Sequence, residues 1–306
     1  MRLATCAILF ATFGTGVLGQ TAPRPPIIDM HVHSTNITPE QELKRMEQFN
    51  IRYLVVSTLS ADFPRWANAL KPGQFAPGLV FPCDHGRAPY FGQPCFSTQT
   101  EFPDIAWLRG ELRAGHIRAF AELEPQYVGL SPADPRMEPF WQLAEESDVP
   151  VGIHMGPAPP AIADQTSSRW PPVKSPQYRM ALGDAMLLEE VLVKHPKLRP
   201  YVMHAGWPKL DSMIAIMAEY PNVYVDVAAL QSQSVVPRPA YYHHLHSLVE
   251  AGFAKRIMFG SDFPDEVGEG INAIEAADFL SSEQKSDILC NNAARFLRLN
   301  PSPCGP

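Results

Sequence analysis

Eight short apolar runs recur along the chain, separated by longer stretches in which apolar and polar positions mix. The runs are 27–33 (IIDMHVH), 51–58 (IRYLVVST), 78–84 (GLVFPCD), 117–123 (IRAFAEL), 149–156 (VPVGIHMG), 201–206 (YVMHAG), 222–228 (NVYVDVA) and 256–262 (RIMFGSD). Each is β-branched or aromatic and almost continuously apolar, which marks strands covered on both faces, as in a parallel sheet. Between the runs the apolar positions take a helical period, at 39–50, 103–115, 137–148, 182–196, 210–221 and 241–252. A last helical stretch covers 282–299, with Ser281 and Ser282 both suited to cap it. Strands alternating with helices in this way predict a (β/α)8 TIM barrel, one domain spanning 27–300. A doubly wound open sheet is the competing arrangement. The link between the second and third runs is short for a full helix. The segment 156–180 is polar, Pro-rich and long, which suits a lid or binding loop.

The N-terminus breaks the pattern. Arg2 is the only early charge, and an apolar, small-residue run follows until the Pro-rich TAPRPP. This predicts a cleavable secretory signal over 1–19 and a short Pro-rich linker over 20–26, with a tail over 301–306 at the other end. An uncleaved anchor is the alternative. No second apolar segment approaches spanning length, so no stable membrane insertion is expected after cleavage. The expected location is secreted or periplasmic. There Cys83, Cys95, Cys290 and Cys304 could form two disulfides, and Cys83–Cys95 with Cys290–Cys304 is the sequence-local pairing among three connectivities. Free thiols are the other reading. The 306 residues, 45% of them apolar, suffice for a sizeable core. A net charge of −7 without a basic patch argues against nucleic acid as a partner.

Chemistry enters through the ends of the runs. His31 and His33 stand at i and i+2 and so share one strand face, and by the same alternation Asp29 shares it too. His154, His204 and Asp262 each sit at or near the C-terminal end of a run, and in a parallel barrel those ends meet at one mouth. Four imidazoles and a carboxylate converging there form a borderline donor set that suits Zn²⁺, and Fe²⁺ or Mn²⁺ less specifically. Glu122 ends the fourth run at the same level and could bridge a second metal, hold the substrate or orient a ligand. Asp29 is a candidate partner behind the ligands. In the long loop, Arg169 and Arg179 are candidates for substrate binding. Trp207, directly after HAG, could wall the pocket. His243, His244 and His246 lie on an ordinary amphipathic helix, and a solvated face is expected for them.

DMHVHS, GIHMG, MHAGWP, FGSDFP and the closing ILCNNAARFLRL together resemble the amidohydrolase superfamily. Within it the chain is most similar to the amidohydrolase-related group, which also contains aromatic-acid decarboxylases and lactonases. The resemblance covers roughly residues 27–299. It implies His31, His33 and His154 as metal ligands, and Asp262 as a ligand that also hydrogen-bonds the attacking water. His204 would either bind a second metal or polarise the substrate. Many binuclear members carry a carboxylated lysine at the end of strand 4, where this chain has Glu122. One ion, preferably zinc, is therefore expected, with a Glu-bridged pair left open. The expected activity is metal-dependent hydrolysis of an amide, ester or lactone of a small molecule. Decarboxylation by the same fold is the alternative, and a non-catalytic metal-containing binding protein is a third. A homodimer would be unsurprising.

Overall fold

The computed structural model describes residues 24–71, 73–89, 91–169 and 171–305. The predicted signal over 1–19 lies outside these residues. Eight parallel strands follow one another around a single sheet in chain order: β1 (Ile27–His33), β2 (Ile51–Thr58), β3 (Phe75–Phe81), β4 (Ala119–Leu123), β5 (Pro150–His154), β6 (Arg199–Met203), β7 (Tyr224–Asp226) and β8 (Ile257–Met258). The segment after β8 returns to β1 through a bridge between Val32 and Asp262, and the Asp262 N–H donates to the His31 carbonyl at 2.8 Å. The result is a nearly closed (β/α)8 barrel, as the alternation of runs and helices predicts.

The helices are α1 (Pro39–Phe49), α2 (Phe63–Ala69), α3 (Ile105–Ala114), α4 (Glu138–Glu146), α5 (Glu189–Lys194), α6 (Leu210–Glu219), α7 (Arg238–Leu248), α8 (Val267–Ala276), α9 (Ser282–Ser286) and α10 (Asn292–Leu297). Capping boxes set two starts, Thr38 with Gln41 on α1 and Ser281 with Gln284 on α9. The link after β2 does form a helix, the short α2. The helix expected over 282–299 runs without a break from Ser282 to Leu297, α9 and α10 being its two ends on either side of a π turn over Asp287–Asn291. α8 falls where no helix was expected. Gly268 and Gly270 weaken its intrinsic propensity, and burial of Val267, Ile271 and Ile274 against the barrel supplies what propensity lacks.

The core has two layers. Ile28, Met30, Tyr53, Val55, Ala119, Ala121, Tyr201, Met203 and Met258 pack together with Ala293 and Phe296 of α10, which closes the floor of the barrel. The other strand faces pack outward, Leu54, Val56, Phe81 and Phe120 against helix residues such as Trp66, Phe140 and Trp141. Two disulfides follow the sequence-local pairing, Cys83–Cys95 after β3 and Cys290–Cys304, which fastens the C-terminal tail under the floor.

Two irregularities decide what reaches the mouth. On β1 the register shifts between Asp29 and Val32, and on β4 it shifts between Phe120 and Leu123. Each bulge adds one residue and reverses the in–out alternation beyond it. Hence Ile28 and Met30 belong to the floor while His31 and His33 belong to the mouth, and Ala119 and Ala121 belong to the floor while Glu122 joins the mouth.

Candidate metal centre

His31, His33, Glu122, His154, His204 and Asp262 are all buried at the C-terminal ends of the strands. They form two linked groups. In the first, His31 Nε2 and His33 Nε2 are 3.1 Å apart, with Asp262 Oδ1 at 3.7 Å and 3.1 Å from them. In the second, His154 Nδ1 lies 2.6 Å from Glu122 Oε1, and His204 Nε2 lies 3.2 Å from His154 Nδ1. Glu122 joins the groups, because its Oε2 stands 3.0 Å from His33 Nε2 and 3.5 Å from His31 Nε2. His154 is thus held by Glu122 and His204.

The backbone is bent to make this possible. His204 and Asp262 have positive φ, 55° and 62°, and so do Ala205 and Ala229 beside them. Non-glycine residues held in that region cluster at sites where function demands the geometry. Gly156 is needed for a related reason: at φ +106 a Cβ there would lie 2.1 Å from the Trp207 carbonyl oxygen. Its absence lets the segment after β6 close over the end of β5.

Partners behind the ring nitrogens fix the tautomers. Asp226 at the end of β7 places Oδ2 3.3 Å from His31 Nδ1 and accepts at Oδ1 from the backbone N–H groups of His204 and Ala228. His31 therefore carries its proton on Nδ1 and turns Nε2 to the cluster. The His204 Nδ1–H donates to the Ala228 carbonyl at 2.9 Å, which likewise leaves Nε2 facing inward.

Asp226 is the carboxylate that the sequence reading assigned to Asp29. Asp29 instead lies on the outer side of the β1 bulge. It accepts from the backbone N–H groups of His31 and Ser261 and faces Arg45 of α1 at 3.5 Å. Strict alternation puts Asp29 beside His31, and the bulge undoes it. Asp226 was visible in the sequence only as an acid ending the seventh run. Glu124 was also missed. It is buried, and with Glu122 and His154 it makes a further trio of donors within 4.8 Å of one another.

The charges are mutually supporting. Burial pushes the Asp262 carboxyl up, but His31 and His33 pull harder and bring it to about 2. Glu122 is held well below its usual range against the same cost of burial, by the charges of His33 and His31. Burial lowers the His33 imidazole, and Glu122 and Asp262 more than reverse this, raising it to about 9. Glu124 moves the other way, pushed far up by burial and by Glu122.

The second group opens into a cavity of about 640 Å³. Its inner end is Glu122, His154, His204 and Asp262, and its walls include Tyr127, Pro157, Pro159, Pro160, Trp207, Leu230, Val236 and Phe263. Trp207 stands in the wall. Arg169 and Arg179 do not: both are exposed, and the Arg179 guanidinium donates to the carbonyls of Pro176 and Tyr178. The loop turns its prolines inward because the Tyr178 hydroxyl is bonded at the loop's start, to the Ala158 N–H and the Gly156 carbonyl. His244 is buried rather than solvated, with Nε2 2.9 Å from the Ala205 carbonyl and its ring against Trp207.

Fit to a divalent cation can be judged from the donors themselves. His31, His33 and Asp262 offer three ligand atoms within 4.8 Å of one another, and His31, Glu122 and His204 offer a second such set. Buried His154 Nε2 has no hydrogen-bond partner, and Glu122 Oε2 meets the imidazole nitrogens of His33 and His31, themselves candidate donors. Imidazole and carboxylate donors with unspent lone pairs are what a divalent metal requires.

Solved structures share the fold at low sequence identity. A 2,6-dihydroxybenzoate decarboxylase from Rhizobium matches with a TM-score of 0.57 at 16% identity, over 90% of this chain and 99% of that one. A probable 2-pyrone-4,6-dicarboxylic acid hydrolase from Acinetobacter baumannii, with citric acid bound, matches with a TM-score of 0.60 at 15% identity, over 89% and 99%. A dihydroxybenzoic acid decarboxylase from Polaromonas, with bound manganese and 2-nitroresorcinol, gives 0.60 at 15% identity, over 91% and 98%. No curated protein matches the chain in sequence. A family model described as amidohydrolase matches residues 28–299, from the second residue of β1 to just beyond α10, and the chain belongs to that amidohydrolase family.

Proposed function

We propose that the protein is a metal-dependent hydrolase that cleaves an amide, ester or lactone bond of a small molecule. The observation that carries this reading is the position of Asp262: an ionised carboxylate within 3.1 Å of His33, at the inner end of a cavity large enough for a small organic substrate. His31, His33 and Asp262 would hold one divalent ion, preferably zinc, with Glu122, His154 and His204 available to complete the set or carry a second. Such an ion lowers the pKa of water towards about 7 and polarises a carbonyl.

The chain's own groups do the rest. Asp262 accepts the proton of the attacking water and returns it to the leaving group. In its imidazolium form, which Glu122 favours against the cost of burial, His204 keeps its Nδ1–H on the Ala228 carbonyl and donates from Nε2 to the oxyanion that develops on the substrate carbonyl. The apolar walls keep bulk water from the reacting atoms. Two disulfides suit an oxidising compartment, which supports a secreted or periplasmic location.

The test is a panel of lactones, esters, amides and hydroxybenzoates assayed in isotopically labelled water. Incorporation of label into the product is expected. Release of carbon dioxide without incorporation would mean that the fold is used here for decarboxylation. In parallel, elemental analysis should find the His31→Ala, His33→Ala double variant stripped of most of its metal. Full metal content in that variant would refute the assignment of the ligands.

A further inference from the structure

Two features of the mouth bound the substrate: the room it has and the charges it meets there. Beside His33 the disulfide-tied loop after β3 closes in, and Ala88, Pro89 and Phe91 leave a space of about 10 Å³, which holds no more than a water molecule. The body of a substrate therefore lies in the cavity of about 640 Å³, a volume that suits a small organic molecule.

Few residues set the charge of that cavity. Glu122 and Asp262 belong to the donor cluster, where a divalent ion would balance them, and the His204 imidazolium serves the reacting carbonyl. Among the described lining residues the one further charged side chain is Glu266, an anion, and none is a lysine or arginine. Cations close in sequence to the wall are engaged elsewhere. Lys209 pairs with Asp184 at 2.8 Å, Arg238 with Glu269 at 2.9 Å, and Arg179 donates to loop carbonyls. The rest of the wall is mainly apolar, with Pro157, Pro160, Trp207, Leu230, Val236 and Phe263. Taking a carboxylate out of water into such surroundings costs free energy that no partner there offsets.

We infer that the substrate is an uncharged, largely apolar ester, lactone or amide, whose acyl or alkyl body lies against this wall and bears no carboxylate. This rests on the hydrolase reading, which supplies the bond to be cleaved, while the wall supplies the choice of body. An apolar body gains from burial in proportion to the area it covers. An anionic one would lose that gain to desolvation and find no cation in the wall.

The probes are three hydroxamates of equal chain length, each with one end that chelates a divalent ion. They are octanohydroxamate, suberate monohydroxamate with a terminal carboxylate, and ω-aminooctanohydroxamate with a terminal amine. Calorimetry on the zinc-loaded protein should find octanohydroxamate bound about tenfold tighter than the carboxylate-tailed probe, or more, because that carboxylate is desolvated without a partner. A lysine introduced at an exposed position of the wall, by Pro160→Lys or Val235→Lys, should tighten binding of the carboxylate-tailed probe about fivefold and change that of octanohydroxamate by less than about twofold. Thermal melts check that the variants fold. The inference is overturned if the carboxylate-tailed probe binds wild type as tightly as octanohydroxamate, or if the amine-tailed one binds more tightly than octanohydroxamate. It is equally overturned if neither lysine favours the carboxylate, or if no probe binds. Hydrolysis is read separately with the substrate panel. Preference for the apolar probe without any hydrolysis would sink the hydrolase reading and leave the selectivity standing. Hydrolysis confined to carboxylate-bearing esters would do the reverse.

Discussion

Asp226 touches no part of the cavity, yet it sets both ends of the donor cluster. One oxygen faces the imidazole of His31 and the other holds the backbone of His204. An Asp226→Asn variant separates these duties. The amide oxygen can keep accepting from the His204 and Ala228 N–H groups. The amide nitrogen is a donor and would meet His31 Nδ1, forcing the ring proton onto the nitrogen that should face a metal. Metal affinity should fall by about 10–100-fold, as for other partners behind metal-binding histidines, with the melting temperature little changed. Competition against a chelator measures the first quantity and circular dichroism the second. Unaltered affinity would mean that His31 is not a ligand through Nε2.

At the scale of elements, the seam between β1, α1 and the segment after β8 is held by charge inside an apolar layer. Arg45 lies 2.7 Å from Glu42 and 3.5 Å from Asp29, and donates to the Ser261 hydroxyl at 3.2 Å. One guanidinium serves two carboxylates here. Burial outweighs the pull of Arg45 and raises Glu42 from 4.5 to about 7. A folded-state pKa above the unfolded value means that the folded chain binds the proton more tightly. Stability from this group is therefore complete below about pH 4.5 and is lost as pH rises through about 7. The loss is at most about 3 kcal/mol. Glu42→Gln, neutral at every pH, should flatten the stability profile across that window, measured by urea unfolding at pH 5 and pH 8. An unchanged slope would show that Glu42 is ionised throughout.

The same scale shows what periodicity could convey. All eight strands and the order of the ligand-bearing ends were legible, because apolar runs and strand-end polar residues are local patterns. Asp29 was read by strict alternation and Glu122 by its place at the end of a run; the β1 and β4 bulges interrupt alternation, and a bulge leaves no compositional trace in either run. Alternation misplaced Asp29. On β4 the same alternation would set Glu122 with Phe120, which packs outward, and only the bulge turns Glu122 to the mouth. α8 was hidden by its two glycines. His244 was hidden because its partner, the Ala205 carbonyl, is a backbone group presented by a turn after β6.

For the molecule as a whole, the floor and the mouth depend on different bonds. Cys290–Cys304 closes a loop of 14 residues below the floor, far along the chain from every donor residue. Replacing both cysteines by serine should cost about 3 kcal/mol in global stability, by the loop-entropy estimate. Metal content and affinity of the folded protein should not change. Chemical unfolding and elemental analysis of the double variant test the pair of expectations, and a loss of metal from the fully folded variant would contradict the separation.

The two bulges give that separation a deeper consequence. In an uninterrupted strand a single alternation would tie the residues that fill the barrel to those that face a substrate, so that changing one set would disturb the phase of the other. Here the phase is reset between Met30 and His31 and between Ala121 and Glu122. Each reset works as a clutch: the upper residues can be exchanged for new chemistry while the lower ones go on carrying the load.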